Sequence, residues 1–241
     1  MFKTLINKIL NKAGFELIRL NSTSGKKLAE GFPAYLAEAE KSGTDVNDHI
    51  NSKLGNPEYD LGIILYPILK ELKNPAVCEL GVGTGRWSRE IIKELKNNSS
   101  WQLFLVDHSG WIVNFLNKYF EEEKNVFPVL NDGRTLPFKE DNFLDLIFCQ
   151  GTFIELNLVR IVSYCSEFHR VLKQNGIAVF NYISLDTDNG WNHLLTQSAK
   201  SESCFTYHSS QTIDRIFIEK RFEKINSLLL GNSTYGYFRK K

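Results

Sequence analysis

The segment Val77-Cys78-Glu79-Leu80-Gly81-Val82-Gly83-Thr84-Gly85-Arg86-Trp87-Ser88 constrains this chain more than any other. An apolar run ends on an acid, crosses three alternating glycines and opens a helix. That order imposes a strand–turn–helix unit. Glycine lacks the Cβ that would keep a ligand off the backbone. The helix that follows points its first N–H groups and positive dipole end into the same space. A nucleotide-like ligand is expected there, against the plainer reading of a tight connection alone. The spacing excludes two kinds of site. A dinucleotide fingerprint needs its third glycine at position 86, where Arg86 stands, and a phosphate-binding loop needs a Gly-Lys-Ser/Thr ending that does not follow.

Further segments continue the pattern. Trp101–Val106 is an apolar strand candidate closed by Asp107, about 22 residues past Gly85 and near the spacing of ribose-binding acids. Asn125–Leu130 runs into Asn131-Asp132-Gly133, and Leu136-Pro137-Phe138 precedes a strand candidate that ends at Cys149-Gln150. Glu167-Phe168-His169-Arg170-Val171-Leu172-Lys173 then leads through Gly176 into a fifth apolar run. Together, in this order over residues 77–184, these segments resemble the class I S-adenosylmethionine-dependent methyltransferases. The resemblance implies S-adenosyl-L-methionine as cofactor. It places Glu79, Gly81, Gly83 and Gly85 around the methionine and ribose, and Asp107 on both ribose hydroxyls. His108 borders the adenine or ribose, Asp132 with Gly133 holds the adenine, and Gln150 lines the channel to the methyl group.

Strand candidates 76–80, 102–107, 126–130, 143–149 and 176–183 alternate with helices near 85–96, 109–123 and 156–173. Such alternation argues for parallel βαβ units with right-handed crossovers. After an insertion come a helix at 209–221 and two strands, Glu223–Leu229 and Thr234–Arg239, around Gly231-Asn232-Ser233. The expected fold is α/β: a Rossmann-like, seven-stranded, mostly parallel sheet with a C-terminal antiparallel hairpin, flanked by helices. Three regions are expected: 1–27, an amphipathic helix and linker; 28–75, a helical cap including a helix Leu61–Leu72; and 76–241, the core. In the resembled family such caps cover the cofactor; the alternative is that these helices only complete the core.

Residues 1–20 carry Phe2, Leu5, Ile6, Ile9 and Leu10 at helical intervals among Lys3, Lys8 and Lys12. They are too polar for a secretion signal and too short in apolar residues to span a bilayer. This segment either lies on an anionic membrane surface or packs against its own core or a sister subunit. A net charge of +1 gives no reason to expect nucleic acid. Four cysteines without a C-x-x-C pair argue for a reducing, cytoplasmic setting, peripheral to the inner face of a membrane if residues 1–20 bind there, and against zinc.

Methyl transfer from a sulfonium expels a neutral thioether, so alignment and exclusion of water are the main requirements, and no metal is expected. The expected acceptor is a hydroxyl of a small or sugar-containing molecule, such as a glycan or glycolipid precursor. Short opening sequences like this one resemble those of bacterial surface-polysaccharide enzymes. An N- or C-methyltransferase and an inactive cofactor-binding protein are the alternatives. Two candidate catalytic residues follow. Glu155, after the fourth strand, is either a base facing the acceptor or a first-turn acid of the next helix. His208 precedes a helix N-terminus, which lowers its pKa and favours a neutral, basic imidazole. The stretch Ser184–His193 reads as a polar loop with an aromatic plate, Trp191, suited to a sugar.

Overall fold

The protein is described by a computed structural model over residues 23–199 and 203–241. The amphipathic segment expected at residues 1–20 lies outside the described residues. Among these residues no helix is long and apolar enough to cross a membrane.

The strands are β1 (Ala76–Leu80), β2 (Gln102–Asp107), β3 (Val126–Leu130), β4 (Leu144–Cys149), β5 (Leu172–Tyr182), β6 (Phe222–Leu230) and β7 (Ser233–Lys240). They form one sheet in the order β3-β2-β1-β4-β5-β7-β6. β3, β2, β1, β4 and β5 are parallel, and β7 runs antiparallel to both β5 and β6. The expected sheet and terminal hairpin are therefore present. Strand β1 is buried along its whole length because both faces are covered. On one face Cys78 and Leu80 pack against α7 (Leu158–Val171) and α9 (Ser210–Glu219) through Tyr164, Phe168 and Phe217. On the other, Val77 and Leu103 meet α3 (Glu58–Ile64), α5 (Arg86–Leu95) and α6 (Gly110–Tyr119) through Leu61, Ile91 and Leu116.

Three local expectations are corrected. The single helix expected at Leu61–Leu72 is broken into α3 and α4 (Tyr66–Leu69), because Pro67 cannot continue the hydrogen-bond ladder. Of the stretch read as a linker, Asn21–Lys27, the described residues Thr23–Lys27 are helical, since α1 spans Thr23–Ser42. The polar loop 184–193 is cut short by α8, Asp188–Ser198, which Thr187 caps by accepting a hydrogen bond from the Gly190 amide.

Candidate active site

The order of the sheet reverses between β1 and β4, so the crevice at their carboxyl ends is the natural ligand position. The glycine turn leaves β1 there, and the loop Gln150–Asn157 leaves β4 beside it. Gly81 and Gly83 take φ of 77° and 58°, which other residues adopt only with strain. Space imposes glycine as well. A Cβ on Gly81 would stand 1.7 Å from Thr152 Oγ1, and one on Gly83 2.8 Å from Phe32 Cζ. A Cβ on Gly85 would meet Phe120 Cε2 at 2.7 Å. The sequence reading gave this room to a ligand; at these Cβ positions the protein's own side chains fill it.

The acids at the strand tips differ in environment. Asp107 is 6% exposed; Oδ2 accepts from the Gly83 amide at 3.3 Å and Oδ1 from the Ser109 amide at 2.9 Å. A carboxylate offers about four acceptor positions, so both oxygens keep capacity for ribose hydroxyls. His108 beside it is exposed, and its side chain neighbours Gly133, whose carbonyl accepts from Arg160 at 2.6 Å. Asp132 is exposed and closes the turn at 134–135; the Thr135 and Arg134 amides hold its carboxyl below the ordinary range. Glu79 is 1% exposed and turned into the core, where Ser88 donates to it at 2.5 Å. Burial pushes its carboxyl up to about 8.

The loop after β4 is held from several elements. Tyr235 of β7 donates its hydroxyl hydrogen to Gln150 Oε1 at 2.8 Å, leaving the Gln150 amide N–H groups for another partner. The Gly151 amide donates to Asn181 Oδ1 at 2.7 Å, and Thr152 Oγ1 donates to the Leu80 carbonyl at 3.2 Å. Glu155 follows. It lies two residues before Asn157, the N-cap of α7, so it is not an acid of that helix's first turn. Its half-buried carboxyl makes no hydrogen bond or ion pair among the described residues, and burial alone pushes it up to about 7.

The insertion after β5 returns to this loop. His208 is 7% exposed, its Nε2 lies 3.0 Å from the Leu156 carbonyl, and its backbone bridges to Ser184. Its pKa is lowered as expected, but burial is the main cause, not the N-terminus of α9. Glu155 and His208 are thus brought to the same loop. The polar residues expected to greet a sugar have structural duties: Asp186 accepts from the Ser210 amide and Asn189 donates to the Gly231 carbonyl. Trp191 remains 50% exposed.

The cap grips the glycine turn. From α2 (Val46–Leu54), Asn47 Nδ2 donates to the Thr84 carbonyl at 2.9 Å, and Thr84 Oγ1 donates to Asn47 Oδ1 at 2.7 Å, both residues being buried. Arg86 reaches the Gly55 carbonyl at 2.8 Å. Sequence reasoning missed Phe32, Asn47, Thr152, Asn181 and Tyr235. Only Asn181 carried a signal, as an amide inside an apolar strand that must find a partner once buried.

Residues 77–176 match the family model described as a methyltransferase domain. No curated protein sequence matches the chain. Among solved structures, the PH0226 protein from Pyrococcus horikoshii OT3 is similar at 19% identity and a TM-score of 0.59, over 80% of this chain and 92% of that one. A SAM-dependent methyltransferase from Aquifex aeolicus aligns at 19% identity and a TM-score of 0.58, over 78% and 95%. The geranyl diphosphate C-methyltransferase from Streptomyces coelicolor A3(2) aligns at 13% and 0.62, over 82% and 81%. These are likenesses of fold.

Proposed function

From the premise of an S-adenosylmethionine-dependent methyltransferase, with its methyltransferase domain at residues 77–176, we propose that this chain methylates a hydroxyl of a small or sugar-containing acceptor. The residues at the switch point fit the cofactor. Asp107 keeps acceptor capacity for the ribose, Asp132 with Gly133 and His108 stands at the neighbouring strand tips for the adenine, and Gln150 offers amide N–H groups beside the glycine turn. When bound, the cofactor supplies an electrophilic methyl group on a sulfonium.

Glu155 carries the hydroxyl reading. It is a partnerless carboxyl held near neutrality by burial, in the loop that leaves the β4 tip at the switch point. A base suited to physiological pH has its pKa near the working pH. Glu155 takes the proton that the acceptor hydroxyl gives up as the oxygen–carbon bond forms. His208 has its Nε2 engaged by Leu156 and serves the same loop. The bonds from Asn47 to Thr84 and from Arg86 to Gly55 support a covering role for the cap over the glycine turn.

The test is a mass-spectrometric search for +CH₂ products, with labelled methyl donor and fractionated cell-envelope precursors. With the acceptor in hand, the rate rises with pH through about 7 as Glu155 ionises. Glu155→Gln lowers kcat by roughly 10²–10⁴-fold. Undiminished turnover by Glu155→Gln removes Glu155 as the base. Residues 1–20 supply a basic amphipathic segment for an anionic membrane surface. Flotation of the full chain with anionic vesicles, against a chain lacking residues 1–20, tests that contact; equal flotation removes it.

A further inference from the structure

The loop after β4 is anchored at its ends by the sheet and by α7, and in its middle Phe153 is buried against Phe168 of α7 and Phe180 of β5. Gln150 and Gly151 are fixed by Tyr235 and Asn181, and Asn157 caps α7 by accepting from the Arg160 amide. Between these points, the carbonyls immediately before and after Glu155 receive their hydrogen bonds from the returning strap of the insertion. The Thr206 amide donates to the Ile154 carbonyl at 2.6 Å. Thr206 Oγ1 lies 2.9 Å from the Leu156 carbonyl and 3.1 Å from that of Ile154. His208 Nε2 lies 3.0 Å from the Leu156 carbonyl. A carbonyl only accepts, which assigns the ring proton to Nε2.

The strap is itself rigid. The His208 amide donates to the Ile183 carbonyl, and the His208 carbonyl accepts from the Leu185 amide, each at 3.0 Å, so the strap continues the end of β5. Nothing among the described residues holds the Glu155 carboxyl directly. Its position therefore follows from the backbone around it: the Glu155 amide, which donates to the Thr152 carbonyl at 3.0 Å, and the two carbonyls on either side.

We propose that Thr206 and His208 are positioning residues for Glu155, acting through the two carbonyls that flank it. This deepens the reading of Glu155 as the acceptor's base and rests on it. The insertion that carries α8 then joins the sheet in setting where the carboxyl stands and how far water reaches it.

The experiment needs no acceptor. The full chain, labelled at glutamate Cδ with ¹³C, is titrated by NMR, and Glu155→Gln identifies the resonance. Thr206→Val and His208→Leu are expected to lower the Glu155 midpoint by at least about one pH unit, as the loosened loop admits water. His208→Gln keeps an amide donor and restores the wild-type midpoint, which a merely space-filling histidine would not require. Should His208→Leu fail to fold, Thr206→Val carries the test, since its backbone bond to Ile154 is retained.

A raised wild-type midpoint that stays unmoved in folded Thr206→Val overturns the clamp alone. Equal midpoints in His208→Gln and His208→Leu remove His208 from it. An ordinary wild-type midpoint overturns both the clamp and the reading of Glu155 as base. Shifted variants beside full turnover by Glu155→Gln uphold the clamp and overturn only the base.

Discussion

At the glycine turn the backbone is held by side chains from several separate elements: Asp107 accepts from Gly83, Thr84 pairs with Asn47, and Phe32 and Thr152 press on two glycines. At the neighbouring loop after β4, a strap from the insertion, some 50 residues along the chain, holds the peptides around Glu155. The first arrangement is a stiff cradle suited to one unvarying ligand. The second sets a carboxyl without a side-chain partner among the described residues on a loop braced by the insertion. On the reading proposed above, the first would hold the cofactor while an insertion braces the loop that meets the acceptor.

The contrast can be broken most directly at Asp107. Asp107→Ala removes hydrogen bonds to a charged group worth about 1.5–3 kcal/mol each. Calorimetry with S-adenosylhomocysteine should show that loss, less what water restores; unchanged affinity takes Asp107 out of the cradle. A smaller effect, on stability, is expected for Gly81→Ala. Positive φ and the clash with Thr152 Oγ1 together cost roughly 3 kcal/mol in urea unfolding. A variant as stable as wild type would mean that the turn is less tightly packed than the loop beside it.

A third test concerns Glu79. Its folded pKa, about 8, lies above the ordinary carboxyl value, so the folded state holds the proton over that interval. Stability from this group is full below about pH 4.5 and is lost as pH rises through about 8, with a slope of at most about 1.4 kcal/mol per pH unit. Glu79→Gln should flatten that part of the stability–pH curve. A curve of unchanged slope would show that Glu79 ionises freely, as an exposed strand-tip acid does.

Much of the frame was legible in the sequence because it rests on local pattern. The strands at 76–80, 102–107 and 126–130 were bounded by apolar runs closed by turn residues, and the hairpin by Gly231-Asn232-Ser233. Tertiary contacts of polar side chains were not legible in the same way. Asp186 and Asn189, within the stretch read as suited to a sugar, bond the first amide of α9 and tie α8 to the terminal hairpin. Glu155 read as a possible helix acid, and only the observed start of α7 removes that option.

By itself, the order of apolar runs, acids and glycines determined the sheet, its crossovers and the acids at the tips of β1 and β2, since these follow from periodicity and from glycine's missing side chain. Tertiary structure alone decided that Thr152 fills the space over Gly81, that Tyr235 orients Gln150, and that Thr206 and His208 flank Glu155. Those pairings join residues 50 or more positions apart, and a buried polar group takes whichever partner the packed fold brings within hydrogen-bond reach.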